Sequence, residues 1–541
     1  MGAYLNSQTP YTLYQSESRS PYFVDKTMLL QELFPYVAAG NRHLCVTRPR
    51  RFGKTIAANM ISSFFQKGID SGELFDRLKI SEADDCQKYK NKYNVIRIDF
   101  SKMPRNCESY RQYIERVEEL LISDLREAYP DAKTSETDAI GDILEEIFQQ
   151  YHGEKFIFVL DEWDFIFHRG FITEADKAKY VAFLSNLLKD RPYVILSYMT
   201  GILPIAKYSS GSELNMFAEF TMVNSPMFGT YFGFTDDEVD DLYERYCREC
   251  EKQRKIKNVT RKGLRDWYNG YYTKAGERVY NPRSVVFALQ FNNLANYWTS
   301  SGPYDEIYYY IRNNVSDVRD DLVLMAAGES VSAKIQEYAA TSMNLSTRDE
   351  IYSAMVVYGF LSYLNGKVSI PNRELMEKFD ELLMKNESLG YVYRLAKESE
   401  KMLKATLAGD THTMEKILEL VHDTEVPLLS YNHETELSAI VNLVYLAARD
   451  SYRVEREDKA GVGYVDFIFY PYDLTADGII LELKVDHTPE EAIQQIKDRK
   501  YALKFVPRLA EQKKYTGKIL AVGIGYEKTE KKHRCRVESL N

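Results

Sequence analysis

The sequence predicts an α/β protein with two separate sheets and a helical stretch between them. Three observations carry that reading. Residues 43–65 read as strand, tight loop and helix; residues 156–160 form a wholly apolar strand followed by two carboxylates; and residues 463–485 hold two strands bearing further acidic side chains. At 541 residues the chain exceeds one ordinary core, about three or four domains being usual for that length. The pattern divides it into 1–235, 236–426 and 427–541.

The first unit begins with the apolar run His43-Leu-Cys-Val-Thr47. After Arg48-Pro-Arg-Arg-Phe-Gly53, apolar residues recur at helical spacing over Lys54–Phe65. A phosphate-binding loop requires this context. Gly53 allows the backbone to approach phosphates, and N–H groups at the helix start point toward them. Lys54 would neutralise the β and γ phosphates and Thr55 would place its hydroxyl on Mg²⁺. The match departs from G-x-x-x-x-G-K-[ST] at one position, where Arg48 replaces the opening glycine. A bare Gly-Lys-Thr is common by chance, so a second part is needed.

Phe156-Ile-Phe-Val-Leu-Asp-Glu162 supplies it. Its apolar run suits a buried parallel strand, whose C-terminal end is where such sheets bind ligands. Asp161 would hold the Mg²⁺ shell and Glu162 would polarise the attacking water. Helix capping is the bland reading of such an acidic pair. Asn94–Phe100 and Tyr193–Met199 read as further strands, and Thr200, leaving the latter, is a candidate contact to the γ phosphate or the water. Ser109–Arg126 is the intervening helix.

Here a resemblance becomes specific. Tyr22-Phe-Val-Asp-Lys-Thr27, the loop Thr47–Thr55 and Asp161-Glu-Trp-Asp164 together resemble the bacterial AAA-ATPase-like family, as do Trp267-Tyr-Asn-Gly-Tyr271 and Tyr280-Asn-Pro-Arg-Ser-Val285. The likeness covers roughly residues 10–290. It implies a P-loop NTPase sheet and ATP with Mg²⁺, held by residues Arg48, Pro49, Arg50, Arg51, Phe52, Gly53, Lys54 and Thr55 with Asp161 and Thr200. It also makes Arg48 family-like, and Trp163 stands where the family often has tyrosine. Three partners are open to Arg48, Arg50 and Arg51: phosphates, the Asp161 cluster, or a neighbouring subunit. Arg169 and Arg283 are among the candidates for an arginine supplied in trans.

From Asp236 to about Val426 the pattern is mostly helical. Asn365-Gly366 between strand-like residues signals a hairpin. Helices followed by a hairpin suit a winged-helix-like module; a connector is the preferred reading.

Near the end, Gly463–Phe469 is a strand carrying Asp466, and Gly478–Val485 is a second. Alternation puts Glu482 and Lys484 on one face, so adjacent strands bring Asp466, Glu482 and Lys484 together. Two carboxylates suit a hard divalent cation that activates water, with Lys484 steadying the water or the phosphorane charge. Glu-x-Lys alone is weak, since a wet strand face shows the same alternation. With the acidic strand before it and the helix-like Glu490–Ile496 after it, the segment resembles the PD-(D/E)xK nuclease superfamily over about 428–526. The resemblance implies a restriction-endonuclease-like α/β fold. It makes Asp466 and Glu482 metal ligands for Mg²⁺ or Mn²⁺, Lys484 the catalytic lysine and Gln495 an accessory residue. An upstream helix would add a glutamate, for which Glu434 is preferred to Glu436.

Composition narrows the setting. With 80 acidic and 70 basic residues the net charge is −10, which argues against a chain coated in basic surface. Residues 511–541 have a local excess of four positive charges, ordinarily just a solvated face. Six scattered cysteines favour reduced thiols, and Cys247-x-x-Cys250 lacks the second pair or histidine of a zinc site. The 42 tyrosines, spread along the chain, are read as packing. No apolar run reaches a bilayer's thickness, and the N-terminal residues have neither a signal-peptide layout nor the serine or threonine of a myristoylation site, so a cytoplasmic location is expected.

The leading expectation is an ATPase coupled to a metal-dependent nuclease acting on DNA or RNA, in defence or mobile-element control. The alternative is a non-cleaving ATPase switch whose last domain only binds nucleic acid or a protein, and a scaffold that binds ATP without turnover is a third. A homo-oligomer is left open.

Overall fold

The computed structural model describes residues 2–135, 137–205, 213–298, 315–335, 347–385, 387–389, 391–420, 434–460, 463–504 and 515–540. The described residues of Met1–Gly302, Ala333–Leu345 and Asp349–Glu374 form one compact unit, and those of Pro303–Ser332, Ser346–Arg348 and Leu375–Asn541 a second. The helical stretch 236–426 is thus divided between them.

The first unit is built on a parallel sheet of β1 (Arg42–Thr47), β2 (Asn94–Asp99), β3 (Phe156–Asp161), β4 (Val194–Gly201) and β5 (Ala218–Phe220). The order is β2-β3-β4-β1-β5, every pair parallel. β3 and β4 are buried along their whole length, as the continuous apolar runs require when both faces are covered. Helices Tyr110–Ala128, Ile140–Gln150 and Glu174–Leu188 bury Leu121, Ile143, Ile147 and Leu184 with Ile96, Phe158 and Leu160 of the sheet. Helix α1 (Lys54–Phe65) follows β1 directly and packs against β3 and β4. β1 therefore delivers its loop, and β3 and β4 their polar ends, to one edge of the sheet.

Helices Asp236–Gln253, Arg261–Tyr268 and α2 (Pro282–Phe291) add a smaller cluster with Leu242, Tyr246, Leu264 and Val285 at its centre. Cys250 is buried in it and Cys247 packs against it, so the C-x-x-C pair occupies a helix's apolar face. The Asn-Gly signal is realised: β6 (Ser362–Leu364) and β7 (Lys367–Ser369) pair antiparallel, with Asn365 at φ 49° and Gly366 at φ 81° in the turn. Helix α3 (Arg373–Lys385) follows.

The second unit contains the mixed sheet β8 (Tyr452–Ala460), β9 (Gly463–Pro471), β10 (Gly478–Val485), β11 (Ile519–Glu527) and β12 (Lys532–Leu540) in sequential order. Only β10 and β11 run parallel, joined by a crossover that contains helix α4 (Pro489–Asp498). Thr488 caps α4 and Pro489 starts it. Ala492, Ile493 and Ile496 are its buried face.

The helix sits close to β11 because Gly523 has no side chain: a Cβ there would come within 2.2 Å of the Pro489 carbonyl oxygen. Gly523→Ala must therefore push α4 off the sheet and should cost about 2 kcal/mol or more, read from the denaturation midpoint. An unchanged midpoint would show that this packing tolerates a methyl group.

Candidate functional sites

In the first unit the loop after β1 turns back on itself through two left-handed residues, Arg51 (φ 71°) and Gly53 (φ 88°). A Cβ on Gly53 would meet nothing within 4 Å, so its backbone faces open space. The Lys54 ammonium is buried and donates to the carbonyl oxygens of Arg48 and Pro49, both at 3.0 Å. Burial pulls its pKa down, while Glu162, Asp164 and Asp161 pull it up. Thr55 is exposed at the helix start. Arg51, Gly53, Lys54, Thr55 and Glu162 line a cavity of about 360 Å³ whose other walls include Tyr22, Phe23, Phe234, Arg283 and Phe287.

Asp161 is wholly buried, its Oδ1 accepting from Thr200 Oγ1 at 2.5 Å and its Oδ2 from Arg97 Nη2 at 3.0 Å. Glu162 leaves the strand in a left-handed conformation (φ 54°), which turns it toward Lys54 and the cavity. Burial raises its pKa against the pull of Lys54. The next two residues hold the exit of β4. Trp163 Nε1 donates to Leu203 O at 3.2 Å, and Asp164 Oδ2 accepts from the N–H groups of Ile202 and Leu203 at 3.0 and 2.8 Å.

The loop arginines separate. Arg48 does not face the cavity: its guanidinium is buried, donates to the carbonyls of Thr47, Phe220 and Phe228, and stacks over Phe232. This departs from the expectation of a phosphate contact, because carbonyls from β5 and the chain beyond it claim the donors. Pro49 packs on Gly359, where a Cβ would come within 2.7 Å of the proline ring. The Arg50 carbonyl accepts from Trp298 Nε1 at 3.2 Å, Arg51 Nη1 donates to Tyr297 O at 3.0 Å, and Phe52 stands edge-on to Tyr271. Arg169 lies over Phe165, and Arg283 lines the same chain's own cavity.

The second unit brings its predicted residues together where two strands part. β9 and β10 pair from Phe469↔Ile479 to Phe467↔Leu481, and the ladder stops before Asp466 and Glu482. Beyond that point the Asp466 carboxylate takes over as acceptor, receiving Leu483 N–H at 2.7 Å. Glu482 is buried; its Oε1 accepts from Lys484 Nζ at 3.4 Å and from Gln495 Nε2 on α4. Its Oε2 is buried with no hydrogen-bond partner among the described residues. Burial and the neighbouring Asp466 push the Glu482 pKa up to about 7, against the pull of Lys484. The Glu434 side chain lies outside the described residues, although helix Glu434–Val444 begins at that position. Among the described residues no cluster of three or more His, Cys, Asp or Glu is placed to hold a metal.

Residues 14–210 match the family described as predicted AAA-ATPase, and residues 435–532 match the PD-(D/E)XK nuclease superfamily. The chain joins a predicted AAA-ATPase-like domain to a PD-(D/E)XK nuclease superfamily domain. An uncharacterised protein from the vnfD 5′ region of Azotobacter chroococcum mcd 1 is 23% identical over 290 residues; the match covers 52% of this chain and 51% of that protein, about half its length. Among solved structures, the Walker-type ATPase PABY2304 of Pyrococcus abyssi aligns with 10% identity over 65% of this chain and 94% of its own, at a TM-score of 0.36. The Aeropyrum pernix ORC2 protein in its ADPNP–ADP complexes aligns with 11% identity over 67% of this chain and 94% of its own, at a TM-score of 0.33.

Arg97 and Asp164 of the AAA-ATPase-like domain have no role legible in the sequence. A charged residue inside Val95-Ile-Arg-Ile98 was the available signal for the first. Asp164 stands in Asp161-Glu-Trp-Asp164, but its partners are 38 and 39 residues away.

In the nuclease-superfamily domain, a raised Glu482 pKa means that folding favours its protonated form. That contribution to stability is fully present below the ordinary value of 4.5 and is lost as pH rises through about 7. Metal-free protein taken from about pH 5 to pH 8 should thus lose on the order of 1–3 kcal/mol that Glu482→Gln does not lose. Parallel melting-temperature profiles of the two proteins would contradict the assignment.

Proposed function

We propose that this chain is a nucleotide-controlled nuclease: ATP binds at the loop of the first unit, and Asp466, Glu482, Lys484 and Gln495 cleave a phosphodiester of DNA or RNA with a divalent cation, Mg²⁺ or Mn²⁺. The observation that carries it is the Glu482 carboxylate, buried beside a second carboxylate and a lysine with Oε2 unpartnered among the described residues. An uncompensated buried carboxylate is costly, and a hard cation shared with Asp466 fits that donor set. When bound, the cation supplies a Lewis acid and a water of lowered pKa.

The chain's own groups do the rest. Gln495 and Lys484 hold Glu482 Oε1, leaving Oε2 without a hydrogen-bond partner among the described residues and available to a cation. The Lys484 ammonium stands where it can orient the attacking water and offset charge growing on the phosphate. Asp466, fixed by the Leu483 N–H, keeps its carboxylate beside Glu482.

In the nucleotide site, ATP phosphates replace the two carbonyl oxygens that Lys54 now holds. The Thr55 hydroxyl, in the cavity wall, is the group that would hold Mg²⁺, and Glu162 would orient the water for hydrolysis; Asp161 and Thr200, expected beside them, are buried against each other outside that wall. The aromatic walls of the cavity suit the base. Arg283 reaches the nucleotide from within the chain. No described helix is long and apolar enough to cross a membrane. Cytoplasmic action on nucleic acid in a bacterium, in defence or mobile-element control, is the setting this reading favours.

Purified protein incubated with Mg²⁺ or Mn²⁺, with and without ATP, should cut DNA or RNA from a mixed panel. Lys484→Ala should lower the rate by about 10²-fold or more while leaving ATP binding intact. Lys54→Ala should abolish ATP binding and the effect of ATP on cutting. Absence of products under every condition would reject the nuclease and leave an ATPase switch.

A further inference from the structure

One buried carboxylate in the first unit belongs to no motif and touches no wall of the nucleotide cavity. Glu374, the second residue of α3, is 2% exposed. Its Oε1 accepts the backbone N–H groups of Tyr297 and Trp298, both at 2.6 Å, and the Ser284 hydroxyl lies 2.9 Å from each of its oxygens. Its own carbonyl accepts from the Asn296 side chain at 2.8 Å.

Both groups of partners lead to the nucleotide. The Tyr297–Trp298 segment braces the phosphate loop, accepting from Arg51 and donating to the Arg50 carbonyl. Ser284 follows Arg283 on α2, the helix that places Arg283 and Phe287 in the cavity wall. One carboxylate therefore fixes two separate pieces of the site, and charged hydrogen bonds of this kind are about twice as strong as neutral ones. Burial raises its pKa to about 7; the hydrogen bonds and the Arg51 charge oppose that rise.

We propose that Glu374 is a positioning residue for the nucleotide, setting the loop corner at Arg50 and the left-handed Arg51 against the α2 wall so that phosphates and base are gripped together. The inference rests on the loop's binding ATP, as proposed above. A purely structural salt-free anchor would stabilise the domain without a selective effect on nucleotide; the positioning role predicts one.

The test measures ATP·Mg²⁺ affinity of the full chain by calorimetry and follows Trp298 emission during the titration. Glu374→Gln keeps the volume and can keep an oxygen on the Tyr297 and Trp298 N–H groups, its NH₂ donating to the Ser284 hydroxyl, but it removes the negative charge that strengthens these bonds. It should weaken ATP affinity by about tenfold or more and remove the Trp298 response, identified as the part of the emission change absent in Trp298→Phe. Glu374→Asp, which restores a carboxylate, should recover part of the affinity. Val285→Ala, a cavity variant on α2 away from the loop, is the stability control. It should lower the melting temperature and leave affinity within about twofold. Wild-type affinity in Glu374→Gln, or an equal affinity loss in Val285→Ala, would overturn the inference. No ATP binding by the unaltered protein would instead overturn the nucleotide reading beneath it.

Discussion

The buried ammonium of Lys54 is the charge around which the first unit is arranged. Its desolvation is offset by two loop carbonyls at 3.0 Å and by three acidic residues at the ends of β3 and the turn after it. Satisfying it requires the loop to fold back, which needs left-handed residues at 51 and 53 and a brace against the bend. Trp298, Tyr297, Gly359 and Tyr271 supply that brace from residues more than two hundred positions away. The same geometry explains the missing glycine of the loop motif. Arg48 begins a turn whose side chain is needed to tie down carbonyls of Phe220 and Phe228, a task no glycine performs.

The nuclease-superfamily domain uses a different device, the end of a ladder. While β9 and β10 pair, their backbones satisfy each other; where they separate, Asp466 substitutes a side-chain oxygen for a lost carbonyl. The opening places Glu482 at the bottom of a notch, with α4 close enough for Gln495 to reach it because β11 carries glycine opposite. Backbone pairing, helix packing and carboxylate geometry are thus one arrangement.

Much of this was legible from the residues. The strand at 156–161 is buried on both faces and reads as a continuous apolar run, and those at 42–47, 94–99 and 194–201 are mostly apolar with single polar or charged residues among them. β9 and β10 stand out because acidic residues interrupt them. β5, three partly exposed residues long, has no such signature. Polar edge strands such as β12 are equally mute, since solvent accepts almost any side chain there. Within the site, residues that stand in a recognisable motif were found, and those whose role comes only from a partner outside any motif were not. Glu374 reads as an ordinary helix-start acid, and Arg97 acquires a meaning only when β2 lies beside Asp161.

The strand order of the first sheet also has a timetable. β1 finds both its neighbours, β4 and β5, by residue 220, whereas the strands carrying Asp466 and Glu482 begin at residue 463. At synthesis rates of about 5–20 residues per second, the ribosome needs roughly 10–50 s to cover the interval. The sheet that carries Lys54 can therefore pair while the strands of the nuclease-superfamily domain are still unmade, and the brace of its loop, at 271, 297, 298 and 359, arrives between the two.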